Sequence, residues 1–164
     1  MDVDHFERWY VGGHPRLIAA LTVVAGDTCL AAEVVDEAFA RAYEQWPRVA
    51  GMTSPDGWTY RTALNVLRRR QRRVRLEHQL HLRRGPSDAR ALPPDWSLEV
   101  WDALLRLPRR ERTAVALRYV ADLSTEDIAA AMRIAPGTVG ATLHSARRRL
   151  AAALADHCEE VTDA

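Results

Sequence analysis

Aromatic and arginine side chains alternate in residues 58–75, WTYRTALNVLRRRQRRVR, a mixture that suits the binding of a nucleic acid. Arginines hold backbone phosphates, and aromatic rings stack on unpaired bases. Residues 61–90 contain ten arginines and two acidic residues, a net charge of +8, whereas residues 1–60 have a net charge of −5. Trp58 and Tyr60 could instead be core residues, an alternative that we favour for Tyr60 more than for Trp58. This charge distribution predicts a polyanion as a partner.

A second group of candidate binding residues lies within residues 124–150, STEDIAAAMRIAPGTVGATLHSARRRL. Ser124 and Asp127 have the spacing of a capping box, and Pro136 suits the first position of another helix. Apolar residues recur at helical spacing on both sides of a short connector. A helix-turn-helix has this layout and inserts its second helix into the major groove of DNA, although an ordinary helical hairpin shares the spacing.

No arrangement of side chains indicates catalysis. The histidines lack metal-ligand spacing with carboxylates, no glycine-rich phosphate loop follows a strand, and Cys29 has no evident base. We therefore predict that the chain is not an enzyme and needs no metal and no cofactor. A small helical enzyme is the disfavoured alternative.

The cysteines and the apolar runs indicate the cellular compartment of the protein. Cys29 and Cys158 are too far apart to form a disulfide framework or a zinc site, which favours a reducing environment. The longest apolar run, residues 17–25, is shorter than a membrane span, and no signal peptide precedes it. The sequence therefore predicts a cytoplasmic protein without membrane insertion.

Helical periodicity recurs along the chain and strand signals are nearly absent, so we predict an all-α fold. The expected helices cover residues 3–12, 15–25, 27–46, 55–82, 97–106, 109–121, 124–132 and 136–154. Glycine and proline between residues 83 and 96 interrupt the periodicity. We therefore predict two small helical domains joined by a flexible linker, with boundaries at 1–82 for the first domain, 83–96 for the linker, 97–156 for the second domain and 157–164 for a tail.

The helix predicted within GDTCLAAEVVDEAFARAYEQW, residues 26–46, has an acidic face. Asp27 can cap its first turn, and Leu30, Val34, Ala38 and Ala42 form an apolar stripe. Acidic residues occupy the other faces. Composition alone favours a solvated surface for these charges.

The order of these features resembles the extracytoplasmic-function (ECF) sigma factors of bacterial RNA polymerase, and most closely their actinobacterial branch. The matching segments are Gly26-Asp27, AAEVVDEAFARAYEQW at 31–46, ALN at 63–65, LLRLPRRERTAVALRY at 104–119, DLSTEDIA at 122–129 and GTV at 137–139. The resemblance implies a subunit that binds core polymerase and directs promoter-specific transcription initiation. Its first domain, region 2, would bind the polymerase clamp and open the −10 element, and its last, region 4, would bind the −35 element.

The resemblance also implies roles for individual residues. The residues expected to face the polymerase are Glu33, Asp36, Glu37, Phe39 and Arg41. The loop at residues 51–56 would capture a flipped −10 base. The residues expected to contact DNA are Trp58, Arg61, Asn65, Arg68, Arg69, Arg72 and Arg73 in region 2, and Thr138, Thr142, Ser145, Arg147 and Arg148 in region 4. The implied partners are core RNA polymerase, promoter DNA and an anti-sigma protein.

The chain departs from the family pattern after the GTV motif. The family usually has Lys-Ser and then Arg there, whereas this chain has Gly140, Ala141 and Thr142, and Ser145 replaces a further arginine. Each missing phosphate contact reduces the salt dependence of DNA binding by about one unit of slope. These departures leave open a sigma-like DNA-binding regulator or polymerase decoy with weakened −35 recognition.

Overall fold

The structure is a computed structural model that describes residues 3–79 and 96–162. Helices account for the regular structure of these residues, which include no strand, so the all-α prediction is confirmed. The elements are α1 (Val3–Ala25), α2 (Thr28–Glu44), α3 (Trp46–Val49), α4 (Pro55–Gln79), α5 (Leu98–Arg106), α6 (Arg109–Val115), a π-helical turn (Ala116–Val120), α7 (Thr125–Met132) and α8 (Pro136–Thr162). None of the helices in the described parts of the chain is both long and apolar enough to span a bilayer.

Helix α1 is continuous, so the predicted break between residues 12 and 15 is wrong. Pro15 lies inside it and removes one backbone donor, which in isolation favours a break. Packing against α2 along its length opposes that break. At Gly13, a Cβ atom would lie 3.5 Å from Cζ of Phe39, an ordinary packing distance.

The predicted helix starts at Asp27 and Ser124 are confirmed by their capping hydrogen bonds. Asp27 Oδ1 accepts from the backbone N–H of Leu30 at 2.9 Å, and Ser124 Oγ accepts from the N–H of Asp127 at 3.0 Å. Arg133 ends α7 with a φ of 58°, in the left-handed region. This turn directs the chain into α8, which begins at Pro136 as predicted.

Other helix boundaries in the structure differ from the predicted ones. The helix predicted over 109–121 is split into α6 and the π-helical turn, and α8 continues to Thr162, so residues 157–162 of the predicted tail are helical. Of the predicted linker, only Trp96 belongs to the described residues. The end of the helix predicted to reach residue 82 also lies outside them. Trp96 packs edge-to-face on Trp101, whose side chain is buried in the core.

The two halves of the chain pack against each other around one continuous hydrophobic cluster. Helices α1, α2 and α4 surround Leu21 and Leu64, while α5 to α8 surround Leu117 and Ile128. Helix α1 contacts α5, α6 and the π-helical turn, and α4 contacts α7. We call this the closed arrangement, and it determines which predicted binding residues reach solvent.

Candidate nucleic-acid interface

Glu33, Asp36 and Glu37 form an acidic surface on α2, and each carboxylate has a basic partner. Arg70 of α4 donates to Glu33 through Nη1 and to Glu37 Oε2 through Nη2, the latter at 3.1 Å. Asp36 Oδ1 lies 2.8 Å from His14 Nε2. The side chains of Glu33 and Asp36 are nevertheless 64% and 67% exposed, so a partner can reach them.

Arg41 lies one turn beyond Glu37 on the same helix, and its Nη2 donates to Glu37 Oε1 at 2.6 Å. Arg70 was not among the residues predicted to belong to this surface. Its position three residues after the buried Leu67 places it at the edge of the packed face of α4, and this spacing could have identified it.

Phe39 lies in the core of this structure, although the resemblance implied that it faces the polymerase. Its side chain is 3% exposed, and its ring centroid lies 4.9 Å from that of Trp9 and 5.1 Å from that of Tyr10. Phe39 follows the buried Val35 by four residues, so the two share the inward face of α2. Its buried ring packs α2 against α1.

Helix α4 carries the predicted region 2 DNA residues on one face. Trp58, Arg61, Asn65 and Arg68 recur at spacings of three or four residues and are half-buried. The remaining members of the predicted set are exposed: Arg69, Arg72 and Arg73.

Tyr60 is a core residue, as expected, and its burial together with the nearby Asp56 carboxylate raises the pKa of its phenol well above the ordinary value.

The loop at residues 51–56 opens onto a cavity of about 370 Å³. Trp58 and Arg61 line one wall, and Asp127 and Ala130 of α7 line another. Ser54 Oγ accepts from the N–H of Gly57 at 2.9 Å and thereby caps the start of α4. The first helix of the helix-turn-helix therefore lies over the loop that was predicted to capture a base.

Helix α8 buries Val139, Leu143 and Ala146 and exposes Arg147 and Arg148. Exposed side chains on its outward face also include those of Ala141 and His144, and His144 was not among the predicted contacts. The helical period could have found His144, because it lies three residues from Ala141 and four from Arg148.

The other three predicted region 4 residues are half-buried on the flank of α8. Thr142 Oγ1 donates to the carbonyl of Thr138 at 2.7 Å. Ser145 Oγ donates to Glu111 Oε1 of α6 at 2.9 Å, and Arg149 Nε lies 3.2 Å from Glu111 Oε2. Ser145 thus makes an intramolecular contact where the family pattern has an arginine.

Comparison with known proteins identifies the family. A family model described as sigma-70, region 4, matches residues 97–150. An RNA polymerase sigma-E factor of Streptomyces coelicolor is 30% identical over 152 residues, covering 91% of this chain and 85% of that relative. The ECF RNA polymerase sigma factor SigL of Mycobacterium tuberculosis is 32% identical over 139 residues, covering 77% of this chain and 76% of SigL. The chain belongs to the ECF sigma factors.

The fold of this ECF sigma factor is also found in a solved structure of a sigma factor. The sigma factor RpoE, in complex with the anti-sigma factor NepR from Bartonella quintana, matches with a TM-score of 0.78 and 23% identity, covering 92% of this chain and 96% of RpoE. The predicted fold class and family are thus confirmed. As a sigma factor, the chain directs transcription initiation by RNA polymerase, and sigma factors are not enzymes.

Proposed function

We propose that this ECF sigma factor binds core RNA polymerase through the acidic surface of α2 and reads promoter DNA with α4, the loop at residues 51–56 and α8. The observation that supports this most directly is the shared face of α4, on which Trp58, Arg61, Asn65 and Arg68 are aligned beside that loop. Such a face can stack on unpaired bases while its arginines hold phosphates. The chain works where polymerase and promoter meet, in the bacterial cytoplasm.

The closed arrangement imposes a condition on this function. Trp58 and Arg61 share a cavity with α7, and Arg68 shares another with residues of α6. A melted −10 strand needs the space that α6 and α7 occupy beside α4. Promoter binding therefore requires the two halves of the chain to separate, and binding to polymerase is the step that separates them.

The exposed acidic surface supports docking on the polymerase through charge. Glu33 and Asp36 remain accessible in the closed arrangement although Arg70 and His14 contact them. A basic surface on the polymerase can replace these partners, since exposed ion pairs contribute only about 0–1 kcal/mol each. Docking would free Arg70 from α2.

An anti-sigma protein is the further partner that we propose. RpoE, whose fold is similar over most of this chain, was solved in complex with the anti-sigma factor NepR. An anti-sigma protein that stabilises the closed arrangement would keep α4 covered and so prevent initiation.

One observation favours a second candidate function, a sigma-like regulator or decoy that occupies polymerase without initiating at −35-dependent promoters. The outward face of α8 carries Gly140 and Ala141, and Ser145 is hydrogen-bonded to Glu111 instead of facing solvent. The recognition helix therefore offers few phosphate contacts in its first half.

Transcription in vitro distinguishes these functions. The full chain is mixed with bacterial core polymerase and fragmented chromosomal DNA of the source bacterium, and the 5′ ends of the transcripts are sequenced. The proposed function predicts start sites that share −10 and −35 sequences. Formation of the holoenzyme without new start sites would support the decoy, and no binding to core polymerase would refute both functions.

A charge reversal tests the docking surface. We expect Asp36→Lys to weaken the affinity for core polymerase at least tenfold, because it places a cation in the acidic surface. The matched control is Glu126→Lys, which reverses an exposed acid on α7. Equal affinities of the two variants would exclude the acidic surface as the polymerase contact.

A further inference from the structure

Two cavities flank Arg109 at the boundary between the two halves of the chain. The larger one, about 660 Å³, lies between α2, α4 and α6, and its lining includes Arg70, Arg75 and Arg112. The smaller one, about 450 Å³, is lined by Arg68, Arg110 and residues of α6 and α7. Arg109 lines both cavities. We call the larger cavity the arginine cleft.

Positive charge in the arginine cleft exceeds the negative charge of its own walls. Its two acidic residues are already engaged, since Asp27 caps α2 and Glu33 pairs with Arg70. Arg75, Arg109 and Arg112 form no ion pair with any described residue. A solvated anion that entered the cleft would therefore meet three guanidinium groups without a carboxylate partner.

The closed arrangement holds these guanidinium groups close enough to repel one another. Burial and the charges of Arg68 and Arg75 lower the pKa of Arg109, and burial and Arg109 lower that of Arg112. One Nη of Arg112 donates to the carbonyl of Leu105 at 2.9 Å, but its Nε is buried without an acceptor. Arginine stays protonated under such conditions, so the repulsion persists until an anion compensates it.

We propose that the arginine cleft binds a ligand with closely spaced phosphate groups, a nucleoside polyphosphate or an inorganic polyphosphate, and that this ligand joins α4 to α6. Guanidinium groups hold phosphate oxygens in bidentate pairs, and the volume of the cleft lies within the range of small-molecule sites, about 300–1,000 Å³. A ligand with two or more phosphate groups offers more oxygens to arginines of both helices than a single phosphate does. This site goes beyond promoter recognition, because it belongs to the closed arrangement in which α4 is covered.

Thermal unfolding and calorimetric titration of the full chain test the site. The probes are sodium pyrophosphate, GTP and inorganic phosphate, each in EDTA and against sodium chloride at equal ionic strength. We expect pyrophosphate and GTP to raise the Tm, and inorganic phosphate to have no effect beyond that of the salt. Similar Kd values for pyrophosphate and GTP would show that phosphate groups alone are recognised, whereas a Kd at least tenfold lower for GTP would identify a nucleotide.

Variants locate the binding to the cleft. We expect the double substitution Arg75→Gln and Arg109→Gln to weaken pyrophosphate binding at least tenfold while the chain stays folded, because it removes repulsion. The matched control is Arg106→Gln, an exposed arginine at the end of α5 that lines neither cavity. Equal ligand-induced Tm shifts in the double variant and the control would overturn the proposal, since the anions would then act elsewhere.

An acidic peptide is the competing class of ligand. A Tm increase with polyglutamate and none with pyrophosphate or GTP would assign the cleft to a protein partner and refute the phosphate site.

Discussion

Gly57 of α4 lies directly against Asp127 of α7. A Cβ atom at Gly57 would lie 3.0 Å from Asp127 Oδ1 and 2.8 Å from Ser54 Oγ, so a side chain there would force these atoms to shift. Asp127 is held in place because its Oδ2 accepts from Ser124 Oγ at 2.7 Å. One buried glycine therefore lies at the point where the helix-turn-helix covers the predicted −10 loop.

Substitution of this glycine should weaken the contact between the two halves. We expect Gly57→Ala to lower the free energy of unfolding by about 1–3 kcal/mol, because overpacking forces Ser54 and Asp127 to move. The measurement is urea unfolding at equilibrium. The control is Gly140→Ala, where a Cβ would meet nothing within 4 Å and should stabilise α8 by about 1 kcal/mol. A gain in stability for both variants would show that the contact at Gly57 is loose.

The inward position of Phe39 predicts a large loss of stability on truncation. Phe39→Ala should cost about 3–5 kcal/mol, because it leaves a cavity between α1 and α2 among several aromatic rings. Tyr43→Ala is the control, since Tyr43 lies one turn further along α2 and is 42% exposed. Equal losses for the two variants in urea unfolding would show that Phe39 is not a core residue.

The buried phenol of Tyr60 predicts a loss of stability in alkaline solution. Because burial raises its pKa in the folded state, the unfolded state releases the proton first, and stability falls as pH rises above about 10. The slope should reach about 1.4 kcal/mol per pH unit for this one group. Urea unfolding between pH 9 and 11 should show a steeper decline for wild type than for Tyr60→Phe. The exposed Tyr119, replaced by Phe, should leave the slope unchanged.

An arginine on the outward face of α8 should strengthen DNA binding. We expect Ala141→Arg to raise the affinity for duplex DNA and to steepen the plot of log K against log salt by about one unit, because it restores a phosphate contact. Ala152→Arg adds the same charge to an exposed position further along α8 and serves as the control. The same change of slope in both variants would mean that the effect comes from net charge and not from the recognition helix.

Helical periodicity and capping residues were sufficient to predict an all-α chain and the starts of several helices. Asp27 and Ser124 cap their helices as expected, because a cap depends on atoms within three residues. The predicted break near Pro15 is wrong because it depends on more than local sequence. Contacts between α1 and α2 override the local preference of proline.

What the sequence determined by itself is therefore local or shared with the family: helical periods, caps, the acidic face of α2, the basic face of α4 and membership of the ECF sigma factors. The tertiary structure decided which of these faces reach solvent. It directs Phe39 inward, pairs Ser145 with Glu111 of α6 and brings Arg109 beside the arginines of α4. These relationships join segments that are distant in sequence. A helical period of 3.6 residues shows which residues share a face of one helix, but not which faces of different helices pack together.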